Sequence, residues 1–472
     1  MFSRAAAVDD RLAPAADSAA WSTASAVVGA APESAEAWSE DGLLGGPTRV
    51  SHARPPVEPS PEGLTPHPPG MNWQLLTATL LLCGLGVTMS FSASYFEAVH
   101  KHQDELYFLT RHLRYAAIAG VAMIAGMQIP YQLWRRLAPT AFAVAFVLLI
   151  AVLVFGEVRN NARRWLIIGG QSFQPAEFAK VAFVLYMARS LVSKAERGAL
   201  QTVSSGLLPH VAIFVVCVGL LMGQPDMGTC MVLGVLLFGM AFVAGARVAP
   251  LLGSGLLAVF AAAAFIAQNP MRLGRFKAWF DPFEDFHGKG YQLANSLLAV
   301  AMGGPFGRGL GASQQKLGYL PEAHTDFVLA IIGEELGVVG VSVVALLFIW
   351  LLVAGMATVR GARDEFGRML AFGILLLIGT QAAVNFGVVL QLLPTKGLTL
   401  PFVSFGGTSL ILMAFSIGVL LNVGRGGSPR FAEARPARDG RFFDVSGWSP
   451  GNLIRRYRSP GNTRVLRPRR SP

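Results

Sequence analysis

Ala141-Phe-Ala-Val-Ala-Phe-Val-Leu-Leu-Ile-Ala-Val-Leu-Val-Phe155 contains no charge and no proline. Leu207–Gly223 repeats the pattern, with His210 near its start and no ionised group. Crossing a hydrocarbon core takes about 20 apolar residues in helical form, with each backbone N–H and C=O paired inside the segment. Runs of this kind recur along the chain and predict an all-α polytopic membrane protein of about ten transmembrane helices. Buried helices of a soluble protein would need polar faces that these runs lack. Composition agrees, since 53% of the 472 residues are hydrophobic and only 14% charged. An ordinary soluble domain carries about 25% charged residues.

The hydropathy pattern predicts spans at about 74–94, 112–129, 134–155, 176–192, 207–223, 227–245, 248–268, 327–357, 368–391 and 406–423. A long loop, about 269–326, separates the seventh from the eighth. Short-loop basic residues predict the orientation. With the N-terminus inside, Arg135 and Arg136, then Arg189, Lys194 and Arg197, then Arg360 and Arg363 all face the cytoplasm. An even number of spans then places both termini there. Arg163, Arg164, Arg272, Arg275 and Lys316 are exceptions on the external side. Positive charge kept outside against the rule suggests a pocket for an anionic ligand.

Residues 1–71 are rich in Ala, Pro, Ser and Glu and predict a disordered cytoplasmic extension without the features of a signal peptide. Residues 72–423 form the membrane domain. Residues 424–472 hold 12 Arg, no Lys and three acids, so this tail carries +9 of the chain's net +11. A basic segment beside a last helix suits an anionic lipid surface and says little about nucleic acid. Cys83, Cys217 and Cys230 each fall inside a span, without metal-ligand spacing. Gly307-Arg-Gly-Leu-Gly311 has no preceding strand, so it reads as loop rather than nucleotide-binding turn.

Polar residues concentrate in four places at external span ends. The first holds Arg163, Arg164, Glu177 and Lys180, with Pro175 suited to a first helical turn. Glu177 and Lys180 share a helix face, either as a helix-pinning ion pair or lining a cavity. The second is Gln224-Pro-Asp226, where Asp226 is suited to cap the sixth span. The third runs from Lys316 through Glu322, His324 and Asp326 to Glu334 and Glu335. Thr325 or Asp326 could cap the eighth span, or Asp326 could do chemistry. The fourth, Leu393 to Thr408, contains Lys396 and Ser404, and its prolines and glycines break helix at the membrane border. Irregular backbone there is tolerated only where it lines a cavity or is buried in protein.

Leu320-Pro-Glu-Ala-His-Thr-Asp-Phe327 followed by Gly333-Glu-Glu-Leu-Gly337 resembles the signature of the SEDS family of shape, elongation, division and sporulation proteins. So do Ala162-Arg-Arg-Trp165, Gln174-Pro-Ala-Glu-Phe-Ala-Lys180 and Ser404-Phe-Gly-Gly407. Pro394-Thr-Lys-Gly-Leu-Thr-Leu-Pro401 is more similar to the division branch than to the elongation branch. The resemblance covers about residues 72–423, with departures at Asn161, Ala176 and Phe405, where the family usually has Gly, Ser and Tyr. It implies a peptidoglycan glycosyltransferase acting on lipid II at the outer face of the cytoplasmic (inner) membrane, at the division septum.

On this resemblance Asp326 matches the catalytic aspartate. Arg163, Arg164, Glu177, Lys180, Lys316, His324, Lys396 and Ser404 are candidates for substrate binding. A divalent cation, Mg2+ or Mn2+, is an expected helper for the pyrophosphate, with ligands unassigned, and no organic cofactor is expected. Expected partners are a class B penicillin-binding protein transpeptidase of the FtsI type and other divisome membrane proteins, with no nucleic acid. Two competing classes remain: a lipid II flippase, which a spanning Glu/Lys pair would also suit, and a division scaffold.

Overall fold

The computed structural model describes residues 70–427 except 160, 161 and 269. The terminal extension, the Arg-rich tail and the departure at Asn161 lie outside or almost wholly outside the described residues. Ten long helices stand where ten spans are expected: α1 Trp73–Glu97, α2 Tyr107–Gln128, α3 Tyr131–Phe155, α4 Pro175–Glu196, α5 Leu208–Gly223, α6 Met227–Val243, α7 Val248–Ala267, α10 Val328–Gly361, α11 Glu365–Val389 and α12 Gly407–Gly424. Seven of them, with short flanking turns, are long and apolar enough to cross a membrane. Of the other three, α6 has only 17 residues, while α2 and α4 carry arginines or an acid–lysine pair within their length.

Burial sorts these helices physically. In α7 only Leu251 is buried, so that helix presents apolar side chains outward around nearly its whole circumference, as a lipid-facing helix does. α4, α11 and α12 are buried along most of their length and form the centre. A close backbone approach joins α2 to α12. A Cβ on Gly126 would fall 2.5 Å from the Phe415 carbonyl oxygen, and one on Gly418 would collide with the Met123 carbonyl. Small residues let helix backbones meet in this way where no hydrophobic force between helices exists. Asn422 closes the far end, accepting from Tyr131 N and donating to Met127 O, each at 2.8 Å.

The loop after α3 adds what the hydropathy pattern does not predict, a small antiparallel sheet in the order β1-β2-β3 (Glu157–Arg159, Ala162–Ile168, Gln171–Phe173). Ile168 and Gln171 are paired across Gly169 and Gly170, whose φ angles of 58° and 76° suit a two-residue hairpin turn. The long loop before α10 is also folded, with α8 at Pro270–Phe280 and α9 at Tyr291–Gly303. Trp279 Nε1 donates to Gln391 O and Gln391 Nε2 donates to Trp279 O, both at 2.9 Å, which docks α8 on the end of α11.

α10 is broken at Gly337, where φ is 70° and ψ −165°. The 304–309 backbone enters the break: Arg308 N donates to Glu334 O, Gly309 N to Glu335 O, and Val338 N donates to Gly304 O. The carbonyls freed by the kink are therefore paired from outside the helix, as a kinked span requires.

Gly418→Ala is expected to lower the melting temperature of the purified protein in detergent. Overpacking of a close backbone contact costs about 1–3 kcal/mol or more. Gly361→Ala, where a Cβ meets open space, is the control expected to change little.

Candidate active site

The turn leading into α10 is built on one carbonyl. Glu322, at φ 56°, accepts through its backbone oxygen from Thr325 N, Asp326 N and Phe327 N at 3.2, 3.1 and 3.2 Å. Phe327 is fully buried and anchors the turn. No side chain caps α10, so neither Thr325 nor Asp326 serves the helix end. Thr325 Oγ1 donates instead to the Glu322 carboxylate at 2.8 Å.

Asp326 is fixed through its backbone and left free through its side chain. Its carbonyl accepts from Asn385 Nδ2 at 2.8 Å, and the other amide hydrogen of Asn385 goes to Leu398 O at 2.8 Å. Its carboxylate makes no hydrogen bond or ion pair among the described residues. Gly397 lies against it, since a Cβ there would stand 2.9 Å from Oδ2. Burial pushes the Asp326 carboxyl up to about 7, Glu322 pushes the same way, Arg164 pulls it back, and Asp226 and Glu177 add smaller upward effects. An acid raised to this range is poised to accept a proton near neutral pH.

Around it, the other polar residues are mostly committed. Arg164 Nε donates to Gln224 O at 3.0 Å and its Nη2 to Pro225 O, which ties β2 to the turn before α6. The neighbouring Arg163, on the opposite face of the strand, reaches Leu153 O at 3.3 Å. Asp226 caps α6 as expected, accepting from Thr229 N at 3.0 Å and Thr229 Oγ1 at 2.7 Å. Lys180 Nζ donates to Glu177 Oε1 at 2.8 Å and Gln381 Oε1 at 3.0 Å, all buried. Glu177 Oε2 has no hydrogen-bond partner among the described residues.

Lys316 donates to Glu335 at 2.9 Å and to Ser92 Oγ at 3.1 Å, with 7% of its side chain exposed. It holds the loop to α10 and α1. Ser404 accepts from Leu400 N at 2.9 Å and closes its own turn. His324 Nδ1 stands 3.3 Å from Glu97 Oε2, and its carbonyl accepts from Phe405 N at 3.0 Å. Burial lowers the His324 pKa against the pull of Glu97 and Glu322. Phe405 packs edge-on to Phe108 and beside the His324 ring, a contact that needs no hydroxyl. Lys396 Nζ reaches the Met227 sulfur at 3.6 Å; burial lowers its pKa, Arg275 and Arg272 lower it further, and Asp226 opposes them.

Asp326, Arg164, Glu177 and Lys396 with Asp226 thus share one electrostatic neighbourhood, whereas Arg163, Lys316 and Ser404 are engaged in fixing loops. Arg272 and Arg275 of α8, which the sequence marks only as positive charge suggesting an anionic pocket, join this neighbourhood through Lys396. Asn385 and Gln381 are also missed. Their signal is a pair of amides four residues apart inside an otherwise apolar span, where each polar group needs a partner.

A family model described as cell cycle protein, covering FtsW, RodA and SpoVE, matches residues 73–428. The chain belongs to this family. An FtsW/RodA/SpoVE relative from Trichlorobacter lovleyi, named "Probable peptidoglycan glycosyltransferase FtsW", is 42% identical over 354 residues, 75% of this chain and 92% of its own length. Stage V sporulation protein E of Bacillus subtilis is 40% identical over 353 residues, 74% of this chain and 96% of its own. A solved chain from a peptidoglycan synthase complex that coordinates polymerization and crosslinking aligns with a TM-score of 0.61 at 25% identity, covering 76% of this chain and 99% of that one. The rod shape determining protein RodA of Thermus thermophilus aligns with a TM-score of 0.55 at 26% identity, over 75% of this chain and 96% of its own.

Lys180→Met is expected to destabilise the protein strongly, because it strands Glu177 as an unpaired buried charge, a loss of about 3–5 kcal/mol. Combining it with Glu177→Gln should recover most of the melting temperature. Equal melting of the single and double variants would contradict the pairing.

Proposed function

We propose that this protein is a peptidoglycan glycosyltransferase that polymerises lipid II into glycan strands during septal wall synthesis, at the outer face of the cytoplasmic membrane. The observation that carries the reading is the Asp326 carboxylate, unpaired and raised to about 7 in a site where the neighbouring polar groups are engaged. The names of the relatives and the likeness to a peptidoglycan synthase complex support it.

In the proposed reaction the 4-hydroxyl of one GlcNAc attacks C1 of the MurNAc at the end of the growing chain. Asp326 takes the hydroxyl proton as the new C–O bond forms. The bond from C1 to the diphosphate oxygen breaks, undecaprenyl diphosphate leaves with that electron pair, and a β-1,4 linkage forms with inversion. General-base help of this kind is worth about 10²–10⁴-fold. Arg164, Arg272, Arg275 and Lys396 are the cations suited to meet the leaving diphosphate. Among the described residues no three His, Cys, Asp or Glu converge to hold a metal. Mg2+ or Mn2+ would supply positive charge to the leaving diphosphate, with its protein ligands unassigned. A class B penicillin-binding protein is the proposed partner, consistent with coupled polymerization and crosslinking in the similar complex. Catalysis is favoured over flipping by the acid Asp326 at the loop-to-helix junction before α10, since the Glu177–Lys180 pair suits either reading.

Asp326→Asn is expected to cut lipid II polymerisation by about 10²-fold or more while leaving folding and partner binding intact. A well-folded Asn variant with near wild-type rate would remove Asp326 from the mechanism. Because the base must be ionised, the wild-type rate should climb as pH rises through about 7 and level off above it. Glu322→Gln removes a charge that raises the Asp326 pKa, so this limb should move to lower pH. Initial rates across pH measure both.

The orientation has its own test. With the native cysteines replaced, Gln314→Cys should react with an impermeant maleimide added to the external side. Labelling only from the cytoplasm would reverse the topology and remove the site from the face where the substrate is proposed to react.

A further inference from the structure

α4 joins two very different environments. Its first turn carries Glu177, whose charge bears on Asp326. Lys194 lies 17 residues further on, about 26 Å away along the helix axis. That end therefore sits at the opposite membrane face. A pocket of about 250 Å3 opens there between α3 and α4. Pro139 and Tyr186 form its apolar side, and Arg189, Ser193, Lys194 and Arg197 its polar side. No acid lines it. The nearby Glu196 is turned to Arg135, 4.0 Å away.

The cations are partly preset. Pro139 has no N–H, so the Arg135 carbonyl loses its helical donor. Arg189 Nη1 replaces that donor at 3.0 Å and also reaches Arg136 O at 3.2 Å. The guanidinium is thereby fixed, and its Nε and Nη2 make no hydrogen bond among the described residues. Lys194 Nζ is held by Ser205 O at 2.6 Å and Gly206 O at 3.3 Å. Ser190, also at the pocket, is occupied by His210 Nε2 at 2.9 Å. The Ser193 hydroxyl and the Arg197 guanidinium have no hydrogen bond or ion pair among the described residues. Tyr186 is stacked on Phe142 with ring centroids 4.8 Å apart, giving the pocket a firm apolar wall. None of these groups takes part in the chemistry proposed for Asp326.

Three cations, a free hydroxyl and no carboxylate at a membrane face form a donor-only site. Guanidinium and ammonium groups bind phosphate oxygens through charge-assisted hydrogen bonds. Basic pockets between spanning helices at that depth suit lipid headgroups. We propose that this pocket binds a phosphate-ester anion through Arg189, Ser193, Lys194 and Arg197, and that an anionic phospholipid headgroup supplies it. The apolar wall of Pro139 and Tyr186 faces the glycerol and upper acyl chain of the same molecule.

The test uses the full-length purified protein in a neutral detergent, with thermal melting read against added ligand. Short-chain phosphatidylglycerol should raise the melting temperature, and short-chain phosphatidylcholine should not. Arg197→Gln should weaken the apparent phosphatidylglycerol affinity about fivefold, the loss of one basic contact near an anionic surface. Ser193→Ala is a second variant that leaves the charges in place and should also weaken it. Arg189 is unsuitable because it also holds the α3 carbonyls. Glycerol phosphate giving the same Arg197-dependent shift would support the phosphate-ester site and assign it to a soluble ligand. No preference for phosphatidylglycerol over phosphatidylcholine, or a preference unchanged in both variants, would overturn the proposal.

Discussion

The amide of Asn385 is the interaction on which the rest of the site depends. Its two hydrogens go to the carbonyls of Asp326 and Leu398, one from each of the non-helical segments that meet above α11. Backbone that leaves the helix at membrane depth has to find partners within the protein. One side chain supplies partners to both segments and sets their spacing. The Phe405 N–H bond to the His324 carbonyl adds a second tie between them, and bare Gly397 lets the second segment approach the Asp326 carboxylate. A larger side chain at 397 or an apolar one at 385 would separate them.

Charge placement follows the same economy of partners. Glu334 accepts from Ser313, Gln314 N and Gln315 N, while Glu335 holds Lys316 and Ser92. These adjacent acids fasten the loop before α10 to the first part of that helix, next to the break at Gly337. Lys180 is shared between Glu177 and Gln381. A buried charge with partners on most of its hydrogen-bonding positions is bound to structure, because moving it would strand its neighbours. Asp326 differs in having its backbone held and its carboxylate unheld. Rigid support with a free functional end is the arrangement expected of a group that meets substrate.

The same physical rule operates at the other end of α4. Pro139 opens a vacancy in the α3 hydrogen-bond ladder, and Arg189 fills it. A defect in one helix thus orients a cation of its neighbour. The central helix of the bundle carries a balanced ion pair at one membrane face and unbalanced positive charge at the other.

The ten long helices were legible, and for the seven long and apolar enough to cross a membrane the reason is that lipid leaves few choices: an apolar run of sufficient length must be a helix, whatever surrounds it. Asp226 as a cap and Pro175 as a first-turn residue were legible for a similar reason, since both act within a few residues of themselves. The motif singles out Asp326 in the sequence. The β1–β3 hairpins and helices α8 and α9 were not, because short elements outside the membrane leave no long hydropathy signal. Nor was the division of labour among the cations. Lys316 and Arg164 read alike in sequence, but Lys316 is neutralised by an acid 19 positions away, whereas the charge of Arg164 reaches Asp326. Sequence alone determined which segments enter the membrane and which residue types gather at their ends. Tertiary structure decided which of those polar groups are satisfied and which is left free, because hydrogen-bond partners and desolvation come from residues distant along the chain.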